Sequence, residues 1–361
     1  MEKSWVIKKQ NDEKTVALLA QATGINPIVA NLLIQRGLNT PEKVQAFFKP
    51  NLADLHDPFM MKDMDVAVAR LEKAIKTKEK VLVYGDYDVD GTTSVAMLYT
   101  FLKEFNPNIG FYIPDRYGEG YGVSYKGIDY AHENQFKLVI ALDCGIKAVE
   151  KIEYAKAKGI EFIICDHHTP AEKIPQAAAV LDPKRHDCNY PYNDLSGCGV
   201  GFKLLQAYCI HNFLPFSKLE PFLDLVAVSI ASDIVPLTGE NRILAYYGLQ
   251  RLNAAPRKGL KAIANVSGIE EKEIDINDIV FKIGPRINAA GRIVSGKASV
   301  ELLISDNVNI AADMGDVINE YNTTRRIIDS SITKEALQII SETKDFHNKK
   351  ATVIFNPMWH K

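Results

Sequence analysis

The sequence predicts an α/β fold: an open, mainly parallel sheet with helices on both faces, a helical N-terminal lead-in and a long C-terminal connector helix. Three observations carry this. Five short runs, Val81–Tyr84, Ile109–Ile113, Leu138–Leu142, Ile160–Ile164 and Ala178–Leu181, are apolar and of strand length. Most are separated by stretches of helical period, Thr92–Phe105, Ser124–Asn134 and Ala148–Lys158. Within the runs the apolar residues are continuous rather than alternating, as strands covered on both faces require.

The lead-in spans residues 1–75 and reads as short helices packed on the main domain. Val29, Leu32, Leu33 and Ile34 precede a turn at Arg36-Gly37-Leu38, and Thr40-Pro41-Glu42 opens a helix with Pro at its first position. Ala67, Leu71, Ala74 and Ile75 then keep helical spacing into Lys76–Lys80. Residues 76–305 form the main domain, which turns helical after Gly199: Gly201–Asn212, Pro221–Ser232 and Arg242–Asn253. From 306 to 345, Ile310, Met314, Ile318, Tyr321, Ile328, Ile332, Ala336 and Ile339 mark one long helix, interrupted only by Gly315. A fresh strand is expected at Ala351–Phe355, six residues before the last one. Residues 346–361 are therefore expected to open a further domain that the sequence cuts short.

Composition narrows the class. At 361 residues, 47% hydrophobic and 24% charged, the chain can bury a sizeable core and is expected to hold about two or three domains. Lys+Arg 43 against Asp+Glu 45 leaves a charge of -2, which excludes a polybasic protein held to nucleic acid by charge alone. Cys144, Cys165, Cys188, Cys198 and Cys209 contain no CxxC pair, so they form neither a zinc ribbon nor a redox motif. No N-terminal apolar run and no stretch near ~18 apolar residues occur, so no membrane association and a reducing cytoplasm are expected. There is no internal repeat.

The chemistry sits at strand ends. Asp86-Tyr87-Asp88-Val89-Asp90-Gly91, Asp143-Cys144-Gly145 and Asp166-His167-His168 each directly follow an apolar run, and Asp233 ends the apolar stretch Leu225–Ser232. The carboxyl ends of parallel strands line one crevice, so three loops bring these acids and imidazoles together. Crowded carboxylates cannot all ionise without a cation. Mixed carboxylate and imidazole donors suit Mn(II), Mg(II) or Fe(II), with Zn(II) possible. Two such ions would activate a water and clamp a phosphoryl oxygen.

Blander readings compete at single positions. An Asp after a strand often caps a helix, and Asp90 is assigned that role for the helix at Thr92. An EF-hand would need an acid where Met97 stands and a helix where a strand is expected. Cys144 and Cys165 read as small core residues. Gly118-Glu119-Gly120-Tyr121-Gly122 lacks the strand-turn-helix setting of a dinucleotide fingerprint.

Asp86–Gly91, Asp143, Asp166-His167-His168 and Asp233, in this order, resemble the DHH phosphoesterase family. Val83–Ser94, Ile113–Gly122, Ala231–Leu237 and Ile283–Arg292 are similar to its exonuclease branch, as is a lead-in with Arg36-Gly37, Phe47-Phe48-Lys49-Pro50 and Asp57-Pro58-Phe59. The resemblance covers nearly the whole chain. It implies a metal-dependent enzyme degrading single-stranded DNA from the 5′ end in recombination and repair, a monomer working with helicase and single-strand binding proteins. It implies two ions, Mn(II) or Mg(II), on Asp86, Asp88, Asp143, His167 and Asp233, with Asp143 bridging. Asp166 would orient the imidazoles, and His168 would meet metal or the scissile phosphate. Arg286 would stabilise the transition state, with Asn288 and Arg116 as further phosphate contacts. Family members continue beyond a Trp-His pair into a glycine-rich associated domain and an OB-fold, whereas this sequence stops at Trp359-His360-Lys361, so a catalytic half is expected. Two alternatives share the motifs or the fold: a small-molecule phosphodiesterase acting on short oligonucleotides, cyclic dinucleotides or pyrophosphate, and a non-catalytic binding protein that has lost ligands.

Overall fold

The computed structural model describes residues 4–342 and 350–359. Five strands, β1 (Val81–Gly85), β2 (Ile109–Tyr112), β3 (Leu138–Leu142), β4 (Glu161–Cys165) and β5 (Ala179–Leu181), form one all-parallel sheet in the order β2-β1-β3-β4-β5. Val81 pairs with Ile109 on one side and Leu138 on the other, and Leu142 pairs with Cys165. The chain leaves β1 towards β2 and returns to β3 on the opposite side, so strand order reverses between β1 and β3. That is where a crevice opens in such a sheet.

Both faces are covered. Val81 and Val83 join the larger core, built with α4 (Met64–Lys76), α5 (Val89–Lys103) and α8 (Gly197–His211). Leu82 and Tyr84 join the smaller one, with α6 (Tyr125–Glu133) and α7 (Val149–Ala157). Successive side chains of one strand thus feed opposite cores, which is why the runs are apolar at every position. Ahead of the sheet, α1 (Glu13–Thr23), α2 (Pro27–Ile34) and α3 (Pro41–Phe48) enclose a separate small core of Leu19, Ala20, Ala30, Leu33 and Val44.

Beyond α8 the chain is helical: α9 (Leu223–Ser232), α10 (Gly239–Ala254), α11 (Lys258–Val266), the single turn α12 (Ile276–Asp278), α13 (Gly284–Ile293), α14 (Gly296–Ile304) and α15 (Val308–Glu342). A π-helical turn, Ile279–Ile283, links α12 to α13. Helix α15 lies within the expected connector, whose residues 343–345 are outside the described ones, and Gly315 is buried in it, where a Cβ would stand 3.1 Å from that of Ala262. No single helix among the described residues is long and apolar enough to cross a membrane.

Some sequence expectations shift. Helix α5 starts at Val89 rather than Thr92, because Asp88 caps it by accepting from Gly91 N. The helices α11, α13 and α14 are additional to those expected from the sequence; each is short, at nine or ten residues. The expected strand at Ala351–Phe355 is irregular. That segment comes after α15, to which Asn356 and Trp359 bond through Glu335 at 2.8 and 2.7 Å, and among the described residues no strand pairs with it. Residues 346–349 and 360–361 of the expected further domain lie outside the described residues.

Candidate metal centre

Each strand end delivers its acid to the crevice. Asp86 follows β1, Asp143 follows β3, and Asp166-His167-His168 follows β4. Asp233 arrives from the C-terminus of α9. His167 Nε2 lies 3.1 Å from Asp143 Oδ1 and 3.7 Å from Asp233 Oδ2. Ligand atoms of Asp143, His167 and His168 fall within 4.8 Å of one another, as do those of Asp90, His167 and Asp233. The two groups share His167. Asp143 adopts φ 58° and Ile234, beside Asp233, the same φ. Such left-handed backbone is costly, most of all for a β-branched residue, and it collects at functional sites.

The electrostatics follow from crowding in a dry place. Burial, then the charge of Asp88, pushes Asp86 up to about 7. Burial and the charges of Asp90 and Asp88 push Asp233 to about 7. Asp143 is held well above the carboxylate range by complete burial and four neighbouring acids, and Asp88 is raised by burial and by Asp90. Burial lowers His167. Asp166 behaves oppositely. Burial would raise it, but hydrogen bonds from His168 Nδ1 (2.8 Å), Ile146 N (2.9 Å) and the His167 and His168 amides bring it below the usual value. Its partner His168 is raised by the same bond.

Buried polar atoms normally have partners. Here Asp86 Oδ2, Asp143 Oδ1 and both ring nitrogens of His167 have no hydrogen-bond partner. An unpartnered Asp143 oxygen beside an unpartnered imidazole, with a further unpartnered oxygen on Asp86 at the next strand end, is what a divalent cation satisfies, and this oxygen and nitrogen donor set fits Mn(II) or Mg(II).

Other expected residues fall in different places. Asp90 is structural but does not cap α5; its carboxylate accepts from Gly197 N, Cys198 N and Ser229 Oγ, each at 2.7 Å, and so ties α8 and α9 to the site. Cys144 and Cys165 are buried, and burial pushes both thiols up, keeping them protonated. On α13, Gly284 meets Ser232 and Gly291 meets Tyr87, so this face, with Asn288 between them, lies against the end of α9 and the loop between β1 and α5. Arg286 projects from a different face, donating to Asn319 Oδ1 at 3.0 Å and to the carbonyls of Lys282 and Val266. Arg116 lies over the Tyr87 ring, 5.2 Å from its centroid.

Sequence reasoning missed one residue and left the contacts of one glycine-rich stretch unread. Asp182 follows β5 directly, fully buried with Oδ2 unpartnered and its pKa near 7 through burial; its strand-end position was the available signal. The glycine run before α6 reaches the site, with Gly122 N donating to Asp86 Oδ1 at 3.1 Å and the Tyr121 hydroxyl donating to Asp143 O at 3.1 Å.

A doubly covered parallel sheet with acids and a His pair at its switch point defines the DHH class, and residues 80–230 match the model of the DHH family, N-terminal domain. The comparisons narrow this further: the chain belongs to the RecJ family. It is 38% identical over 338 residues to the single-stranded-DNA-specific exonuclease RecJ of Bacillus subtilis, covering 94% of this chain and 42% of that protein. To the Escherichia coli protein of the same name it is 30% identical over 368 residues, covering 98% and 62%. The structure of RecJ in complex with Mn2+ from Thermus thermophilus superposes with a TM-score of 0.82 at 27% identity, over 97% of this chain and 49% of that one. The chain therefore spans about half the length of the relatives it matches.

Proposed function

We propose that this chain is the catalytic part of a metal-dependent exonuclease that hydrolyses phosphodiester bonds of single-stranded DNA from the 5′ end, in recombination and repair. The observation that carries the reading is the set of buried, unpartnered donors on Asp86, Asp143 and His167. The similarity to proteins named single-stranded-DNA-specific exonucleases supports the substrate. In this reading residues 76–305 are the catalytic domain, 1–75 its lead-in, 306–345 a connector, and 346–361 the start of a DHH-associated domain. Helicase and single-strand binding proteins are its working partners and the cytoplasm its compartment.

Asp86, Asp88, Asp143, His167 and Asp233 would hold two ions, Mn(II) or Mg(II). When bound, the ions supply Lewis acidity and an activated water. The chain's residues do the rest. Asp166 fixes the ring of His168, whose side chain is 41% exposed and faces an incoming phosphate. Asn288 lies on the α13 face turned to the end of α9 and the β1–α5 loop. Arg286 meets phosphate by exchanging its bond to Asn319, and Arg116 guides the strand from above Tyr87.

The test uses metal-stripped protein given Mn(II) and 5′-labelled single-stranded DNA. The expected result is release of labelled mononucleotide, with Asp143→Ala inactive and a blunt duplex untouched. Undiminished cleavage by Asp143→Ala rejects the metal assignment. Faster turnover of a dinucleotide than of the long strand rejects the nuclease reading in favour of a small-molecule phosphodiesterase.

A further inference from the structure

The segment Asp115–Ser124, between β2 and α6, crosses the mouth of the crevice as a strap. Its inner side is bonded to the candidate centre: Gly122 N reaches Asp86 Oδ1, and the Tyr121 hydroxyl lies 3.1 Å from Asp143 O and 3.3 Å from His168 Nε2. The Tyr121 ring also meets His168 edge-on, centroids 5.9 Å apart. Gly120 and Gly122, on either side of Tyr121, have φ of 83° and 78°, a conformation that glycine adopts without strain. The strap's shape is therefore set at the two positions that aim Tyr121.

The opposite side of the strap is held by one carboxylate. The side chain of Glu119 is 3% exposed and accepts from the Tyr112 hydroxyl at 2.9 and 3.0 Å, from Asp115 N at 3.0 Å and from Ser124 Oγ at 2.5 Å. Tyr84 extends the network from β1, donating to Gly122 O at 3.0 Å and accepting from Ser124 N at 3.2 Å. A buried carboxylate is tolerated when its oxygens are saturated by donors. Here the donors come from both ends of the strap and from the neighbouring strand, so one group closes the loop on itself and fixes it to the sheet.

We propose that Glu119 is a positioning residue for this site: by pinning the strap it holds Tyr121 against His168, and Tyr121 in turn fixes the free edge of the imidazole that Asp166 holds from behind. The proposal rests on the hydrolytic reading of the site for its kinetic consequence but not for its structural one. Nδ1 of His168 is fixed by Asp166 and Nε2 by Tyr121, so the ring has one orientation towards the crevice. Replacing the carboxylate by an amide leaves one oxygen to accept from Asp115 N and Tyr112 and puts an –NH2 group where Oε2 accepted from Ser124 Oγ. The short charge-assisted bond from Ser124 is lost or reversed, and the strap is loosened at the end opposite the site.

The experiment compares wild type, Tyr121→Phe, Glu119→Gln and the double variant. In metal-free, ¹⁵N-histidine-labelled protein at fixed pH, the His168 ring signals are assigned by their absence in His168→Gln. The expected result is that Tyr121→Phe and Glu119→Gln both move the His168 signals and that the double variant matches Tyr121→Phe alone. On single-stranded DNA with Mn(II), each single variant is expected to lose about tenfold in kcat with KM unchanged, the scale of lost orienting partners around a metal site, and the losses do not multiply. Unmoved His168 signals in folded Glu119→Gln overturn the proposal, as do losses that multiply in the double variant. If Glu119→Gln does not fold, Tyr112→Phe removes a single donor to Glu119 and is read in the same way. A wild type that cleaves nothing rejects the nuclease reading alone, because the ring signals still decide the role of the strap.

Discussion

The lead-in helices and the strand-end crevice obey opposite rules within one chain. In α1–α3 of the lead-in, each helix start is satisfied by its own side chain: Asp12 accepts from Thr15 N, Asn26 from Ile28 N and Thr40 from Lys43 N. Leu19, Ala20, Ala30, Leu33 and Val44 of these helices close over a small core of their own. In the crevice, four carboxylates are pushed towards the neutral form and four buried polar atoms lack partners. One region is locally complete, and the other is complete only with a cation. The difference separates residues selected for stability from residues whose cost the rest of the fold must offset.

The sharpest way to break this comparison is Asp143→Asn. It should abolish Mn(II)-dependent cleavage while leaving the melting temperature of metal-free protein unchanged or higher, because it removes a buried carboxyl that must either take up a proton or stay charged among its like. A lower melting temperature in calorimetry would make Asp143 an ordinary structural residue. Leu19→Ala in the lead-in should do the reverse. It should cost about 2–5 kcal/mol in denaturant unfolding of that region, with Mn(II) affinity by titration calorimetry unchanged.

The pH dependence comes next in size. In the folded protein Asp86 and Asp233 titrate near 7, against 3.8 for an ordinary aspartate. Their raised values contribute stability that is fully present below 3.8 and is lost as pH rises towards 7. His167, lowered by burial, works in the opposite direction, since its contribution is lost as pH falls. The difference between wild type and Asp86→Asn therefore isolates the carboxylate: metal-free wild type should lose stability relative to the variant between pH 4 and 7, and Mn(II) at pH 7 should restore it. A parallel pair of pH curves would contradict the raised value. The smallest effect belongs to Thr40→Ala, which should cost about 1 kcal/mol as a lost cap and leave the Mn(II) titration untouched.

How much was legible in the sequence depends on the range of the forces involved. Strands buried on both faces must be apolar throughout, and an acid that directly succeeds one has little choice but the strand-end crevice. Asp86, Asp143 and Asp166 could therefore be placed without coordinates. The part played by Asp90 could not be, since its partners Gly197 and Ser229 lie more than a hundred residues away. The strap was visible only as a glycine run, because its purpose lies in bonds to Asp86, Asp143 and His168. The role expected of Arg286 came from resemblance, and its guanidinium faces α15, a packing decision that no local pattern encodes. The strand expected at Ala351–Phe355 had the right composition, but a strand needs a partner, and composition does not supply one.

The glycines around the crevice have a consequence for genetics. A Cβ on Gly91 would lie 2.4 Å from Asp86 O, one on Gly197 2.6 Å from the Asp143 Cβ, and one on Gly291 2.5 Å from Tyr87 O. In a screen of random point mutants for loss of function, these three codons should score as null as those for the aspartates themselves. A map drawn from such a screen would enlarge the reactive centre with residues that never meet a substrate. The two kinds of null allele would separate only on a second axis, protein abundance, where the glycine alleles should be depleted and the aspartate alleles should not.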